Sequence, residues 1–419
     1  MNKILKTTKT ICSYIKYKYL VDNSSREKIE QRQQKLLKKT LRYIKKHSAF
    51  YRDATHLPEM NKQIMMDNFS TLNTVGIDKN EALDFATKSE RTREFTKKLK
   101  NITVGLSSGT SGNQGIFLIS DDESAEWKGA TLVKTMPPKN PQGHKIAFFM
   151  RANSTIYEDM NSRTISWKYF DLYKPVAGNM KSLDQFQPTT IVSPPSMLLE
   201  IADHQKTGKI NIHPDRITAV AEVLEEADKQ KLKEVFHLEV IHQAYQCTEG
   251  FLGCTCKHGT LHLNEDMLIF EKEYLDEKRF IPIITDLQRR AQPFINYRLN
   301  DILVESQEEC PCGSKLLALE KIEGRADDIF VFNGVKIFPD FIRRCILLTP
   351  EVQNYIVTQT SDTKIIVEIE PINEMIKKQV TKEFRKLATD MSFPMPNITF
   401  KKYQRDFSKK LKRVRRNSI

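Results

Sequence analysis

No stretch of the 419-residue chain comes near a membrane span, which takes roughly 20 uninterrupted apolar residues. The opening segment MNKILKTTKTICSYIKYKYL is broken by lysines where a signal peptide would carry its apolar region. Neither export nor membrane insertion is expected. Cysteine is sparse: there are 7, an odd number, and four of them fall in two close pairs. That usage points to reduced thiols or a metal site in the cytosol rather than a secreted disulfide framework. Internal repeats, low-complexity tracts and any Ser/His/Asp arrangement are missing too. What is present, 39% apolar and 28% charged side chains, is globular composition long enough for about two or three domains.

The net charge of +13 sits at the ends. Residues 1–50 carry 14 basic and 3 acidic side chains and residues 401–419 carry 9 and 1, leaving a body of 43 basic and 49 acidic. Basic ends on a mildly acidic body argue against a broad nucleic-acid face and for local roles at the ends. Segment 1–20 alternates aromatics and isoleucines with lysines, a pattern able to lie on a membrane surface, although packing against its own domain is the favoured expectation. Residues 26–51 place Ile29, Leu36, Leu37, Leu41 and Ile44 at helical spacing.

Further on, residues 100–120 read as strand, small-residue loop, strand. Apolar runs at 146–150, 189–193, 217–224 and 238–245 read as buried strands separated by helical patterns, which implies a largely parallel α/β sheet. After about residue 325 the pattern changes to a hairpin around Asn333-Gly334, two strands and a helix, a separate small α+β domain. The expected fold class is thus α/β, with a large N-terminal domain of mostly parallel sheets and flanking helices followed by a small mobile C-terminal domain.

Four short constellations carry the chemistry. Ser107-Ser108-Gly109-Thr110-Ser111-Gly112-Asn113-Gln114-Gly115 offers inward N–H groups and hydroxyls to a polyphosphate, without the Gly-Lys-Ser/Thr ending of a Walker loop. Tyr245-Gln246-Cys247-Thr248-Glu249-Gly250 follows a strand, so Thr248 and Glu249 point into the crevice at its carboxyl end, where a hydroxyl meets phosphate and a carboxylate holds Mg2+. Asp301, in Tyr297-Arg298-Leu299-Asn300-Asp301, suits two ribose hydroxyls. Gly324-Arg325-Ala326-Asp327-Asp328 marks the change of composition.

In this order, with a Lys-x-x-Arg near the C-terminus, these motifs resemble the adenylate-forming superfamily of acyl-CoA synthetases and adenylation domains, above all its phenylacetate-CoA ligase branch and the deazaflavin coenzyme adenylyltransferases. The resemblance implies a large domain over residues 1–325, a lid over 328–419 and a hinge at Asp327. It implies that Ser107, Ser108, Gly109, Thr110, Ser111 and Gly112 close on the β and γ phosphates of ATP, with Tyr245 beside the nucleotide. Thr248 would contact phosphate, Glu249 hold Mg2+, Asp301 bind the ribose and Arg325 sit by the nucleotide. The mobile lysine that bridges the acyl carboxylate and the α-phosphate aligns with Lys410, with Lys409 and Lys412 as alternatives. Gln114 stands where many members carry Pro-Lys, so one cation is missing from the loop.

Cys254-Thr255-Cys256-Lys257-His258 and Cys310-Pro311-Cys312-Gly313 supply thiols and an imidazole in two clusters, the composition of a tetrahedral structural zinc site. The expected ligands are Cys256, His258, Cys310 and Cys312, with Cys254 as a spare, while Cys12, Cys247 and Cys345 read as buried thiols. The expected activity is ATP-dependent adenylation of a carboxylic acid, aromatic by the resemblance, followed by transfer to a thiol on CoA or an acyl carrier protein. Two alternatives stand beside it: adenylylation of a phenolic hydroxyl, and a zinc-stapled, non-enzymatic binder of polyanions or membrane surfaces. The Arg and Lys cluster after Lys410 could meet the 3′-phosphate of CoA or an acidic carrier-protein helix.

Overall fold

A computed structural model describes residues 3–52, 54–107, 115–136, 143–153 and 161–417. The chain divides into two compact units, one made of Met1–Glu273, Pro282–Leu299 and Glu305–Glu320, the other of Tyr274–Ile281, Asn300–Val304 and Lys321–Ile419.

The larger unit is built on a sheet whose parallel part runs in the order Ile165–Asp171, His144–Met150, Thr190–Ser193, Arg216–Val220 and His242–Cys247. Ile146, Ala147, Phe148 and Phe149 are consecutive and all buried, the mark of a strand covered on both faces. Phe149 stacks on Phe170 of the neighbouring strand at 4.5 Å. Helices Pro195–Lys206 and Glu226–Phe236 fall in the expected crossover segments. Two expected strands are shorter than their apolar runs: 217–224 stops at Val220 because Ala221 turns to a φ of 68°, and 238–245 begins pairing only at His242. Beyond Cys247 the sheet turns antiparallel through Gly250–Thr255, Leu261–Leu263 and the start of strand Ala318–Arg325, a continuation the parallel reading did not foresee.

The N-terminal segment forms helix Lys3–Asn23, packed along helix Asp121–Thr135. The latter starts with a capping box, Ser120 and Glu123 each bonding the other's backbone. The two helices approach closely at Gly129, where an added Cβ would lie 2.5 Å from Ser13 Oγ and 2.6 Å from the Tyr14 backbone nitrogen. Cys12, expected to be buried, is exposed on this helix; the side that faces the protein carries Ser13 and Tyr17 instead.

In the smaller unit, hairpin Phe330–Phe332/Val335–Ile337 turns at Asn333 and Gly334, with φ of 47° and 82°, the positive values a two-residue hairpin turn demands. A four-stranded sheet runs Asn397–Lys402, Lys364–Glu370, Asn354–Ser361, Val414–Arg416. Helix Glu374–Asp390, capped by Asn373, buries Ile376, Val380, Phe384 and Ala388 at four-residue intervals against this unit's own core. The terminal arginines belong to it: Arg415 donates to Thr358 Oγ1 at 2.8 Å, Arg416 pairs with Asp362 at 3.7 Å, and buried Arg413 lies over Tyr355.

Replacing Gly129 by Leu should destabilise the protein by about 1–3 kcal/mol, read as a lower urea midpoint. Gly178, in helix Val176–Phe186, has nothing within 4 Å of its would-be Cβ, so Gly178→Ala should be neutral or stabilise by up to about 1 kcal/mol. Equal effects of the two substitutions would show that the close helix contact is wrong.

Candidate nucleotide site and a thiol-imidazole cluster

Thr248 and Glu249 form the two-residue turn between strands His242–Cys247 and Gly250–Thr255, at the carboxyl end of the last parallel strand. That is where an open parallel sheet places its ligands. The turn is held from behind. Arg289 donates through one terminal nitrogen to the Thr248 carbonyl at 3.3 Å and through the other to the Leu118 carbonyl at 2.9 Å, and its guanidinium lies 5.0 Å from the Phe294 ring. Asp286, whose carboxylate accepts the Gln288 and Arg289 N–H groups, is pushed up to about 6 by burial, an effect that Arg289 opposes. Tyr297 OH donates to Glu249 Oε1 at 3.2 Å, which orients the carboxylate. Tyr245 lies in the preceding strand and is buried.

Of the small-residue loop, Ser107 and Gly115 are described; Ser108, Gly109, Thr110, Ser111 and Gly112 lie outside the described residues. Ser107 N donates to the Gly115 carbonyl and Gly115 N to Ser107 Oγ, both at 2.7 Å, so the ends of the loop are clamped together. Lys62, which the sequence reading passed over, donates from Nζ to Ser107 Oγ at 3.3 Å. It opens helix Lys62–Asp67 behind the Asn61 N-cap. The residue before that cap, Met60, exchanges backbone hydrogen bonds with Asn296 and Arg298 at 2.8 Å each, which anchors the helix start beside Tyr297. Lys62, Ser107, Gly115, Thr248, Glu249 and Tyr297 line one pocket together with Met65 and Phe294. The only signal in the sequence was a lysine directly after an N-cap; its partner lies 45 positions away.

The other two motifs belong to the smaller unit. Asp301 opens strand Asp301–Glu305, and the Asn300 carbonyl accepts the Ala326 N–H at 2.8 Å, which brings the Asp301 and Arg325 motifs together. Arg325 Nε lies 3.6 Å from Asp327. Next to it, buried Asp328 pairs with Lys412 at 2.9 Å. Lys409 is exposed and pairs locally with Asp406 at 3.6 Å, whereas Lys410 is half-buried in the segment between them.

The thiols gather as Cys256, Cys310 and Cys312, but the imidazole among them is His262, not His258. The ligand atoms of these four lie within 4.8 Å of one another. His258 meets the cluster only through its backbone N–H, which donates to Cys256 Sγ at 3.4 Å. The reason is register: Leu261–Leu263 pairs with both Gly250–Thr255 and Ala318–Leu319, carrying His262 to the 310–312 loop while His258 stays in the turn before it. His262 Nε2 lies 3.4 Å from Cys312 Sγ, and Nδ1 meets the Leu316 carbonyl at 3.0 Å, the second contact that orients metal-binding imidazoles. Cys256 and Cys310 sulfurs are 3.6 Å apart, close to the edge of about 3.8 Å that follows from tetrahedral Zn–S bonds. Cys254 is buried, and burial pushes its thiol up to about 11.

Scanned against protein-family models, the chain matches none. It is 23% identical over 201 residues to the phenylacetate-coenzyme A ligase of Thermus thermophilus, covering 42% of this chain and 44% of the relative; the match thus spans less than half the relative's length. Among solved structures, 2-hydroxyisobutyryl-CoA ligase in the postadenylation state superposes with a TM-score of 0.68 at 14% identity, covering 93% of this chain and 90% of that one. An anthranilate CoA ligase in complex with anthranoyl-AMP gives 0.53 at 12% identity, over 74% and 67%. The chain therefore has the fold of the adenylate-forming acyl-CoA ligases.

Proposed function

We propose that the protein is an ATP-dependent ligase that adenylates a carboxylic acid and passes the acyl group to a thiol. The observation that carries this reading is the pocket in which Ser107, Thr248, Glu249 and Lys62 face one another, in a chain with this fold. A carboxylate oxygen of the acid attacks the α-phosphorus of ATP, the bond from that phosphorus to the bridging oxygen breaks, and pyrophosphate leaves. A thiolate then attacks the acyl carbonyl and AMP departs. Both reactants of the first step are anions, so cations and fixed donors at the phosphates supply most of the acceleration.

In this reading Lys62 takes over the cationic role missing at Gln114, held by Ser107 at one end of the phosphate loop. Glu249, oriented by Tyr297, is the Mg2+ carboxylate, and the ion, when bound, neutralises phosphate charge. Asp301 binds the ribose. Lys410 is the cation for the α-phosphate, the position that the Lys-x-x-Arg pattern gives with Arg413, and Asp327 is the hinge. The named activity of the Thermus relative supports an aromatic acid, and CoA is the acceptor suggested by 2-hydroxyisobutyryl-CoA ligase solved with both acyl-AMP and CoA.

Pyrophosphate release should depend on a carboxylic acid and continue on adding CoA. Lys62→Ala and Lys410→Ala should each lower it by about 10²-fold or more with unchanged melting temperatures, and wild-type rates in both would sink the site. Release that follows an added phenol and ignores acids would favour the phenolic acceptor.

We also propose that Cys256, His262, Cys310 and Cys312 hold a structural zinc, which would tie the segment after Glu249 to residues 310–312. The purified protein should contain one equivalent of zinc by elemental analysis and lose thermal stability on chelation. His262→Ala should lose the metal and His258→Ala should keep it; the reverse result would restore His258 as the ligand.

A further inference from the structure

Helix Lys3–Asn23 is seated inside out. Its buried side is polar: Ser13 Oγ donates to the Glu126 carbonyl and Tyr17 OH to the Glu126 carboxylate, each at 2.8 Å, and both residues are buried. Lys6, Lys9 and Lys16 flank this contact and pair with Asp121, Asp122 and Glu126. The opposite side is apolar. Ile4, Ile11, Ile15 and Tyr19 recur at the spacing of a single helical stripe and are 75%, 53%, 61% and 65% exposed, with Leu5 and Tyr14 on its shoulders. A surface helix ordinarily has these faces reversed, and an apolar stripe turned to water marks a surface that meets something else.

Charge selects the occupant. Residues 1–50 carry 14 basic and 3 acidic side chains. Lys18 stands exposed three residues from Ile15, and the following helix, Arg26–His47, exposes Lys28, Lys35, Lys38 and Lys39. A second copy laid stripe to stripe about a two-fold axis would bring such cations together. An anionic lipid surface would neutralise them. Tyr14 and Tyr19 suit the headgroup level, where amphipathic rings settle. We propose that the stripe of Ile4, Ile11, Ile15 and Tyr19, with Lys18, lies in the interface of an anionic bilayer and attaches the protein peripherally. The helix thus packs against its own domain with its polar side and keeps the apolar side for lipid. This inference is independent of the adenylation reading.

The test is co-sedimentation of the full chain with vesicles of equal parts phosphatidylglycerol and phosphatidylcholine, against vesicles of phosphatidylcholine alone. The wild-type protein should pellet with the anionic vesicles, less so in high salt. The double variant Ile11→Glu/Ile15→Glu, changed at exposed positions only, should partition at least about tenfold more weakly with an unchanged melting temperature. Absence of wild-type binding to the anionic vesicles would overturn the proposal, as would undiminished binding of the double variant. A lipid-free dimer by light scattering that the double variant dissolves would overturn it in favour of a second copy.

Discussion

The larger unit's pocket depends on one buried guanidinium. Arg289 reaches the carbonyls of Thr248 and Leu118 while its own backbone N–H is held by Asp286, so two separate stretches of chain are fixed to one planar group carried by a third. Glu123 adds a second fastening from the start of its helix by accepting the N–H groups of Arg290 and Ala291 at 2.6 and 3.0 Å. Removing one partner from such a buried charged network leaves the others unsatisfied, a loss of several kcal/mol. Arg289 thus links the Thr248-Glu249 turn to the strand that follows the small-residue loop, each already held by its own ladder.

In the proposed site the charge that the small-residue loop lacks is supplied from elsewhere in the chain. Lys62 comes from a helix far from Ser107 in sequence, and its approach rests on the backbone exchange between Met60 and the Asn296–Arg298 segment. A charge carried on a capped helix start has its backbone fixed in advance, which lowers the ordering cost of meeting a ligand.

What the sequence made legible was local. Alternation and apolar runs gave the parallel strands, and Asn333-Gly334 announced its hairpin because few dipeptides accept two positive φ angles. The imidazole beside the thiols was misplaced where a long-range register decides it: Cys-x-Cys-x-His reads naturally as one cluster, yet cross-strand pairing brings His262 to the three thiols. Lys62 stayed invisible for the same reason, since no spacing rule links positions 62 and 107. The terminal basic cluster read as a run of free cations, yet Arg413, Arg415 and Arg416 also stack on or pair with groups of their own unit, because a short strand runs through them.

That strand, Val414–Arg416, lies parallel to Val357–Gln359 and covers one side of the small unit's sheet. Its partner is made more than fifty residues earlier. Without Val414–Arg416, Asn354–Ser361 would present an open edge, the kind of surface that recruits neighbouring strands. The unit that carries Lys410 is therefore closed only once Val414–Arg416 has joined its sheet.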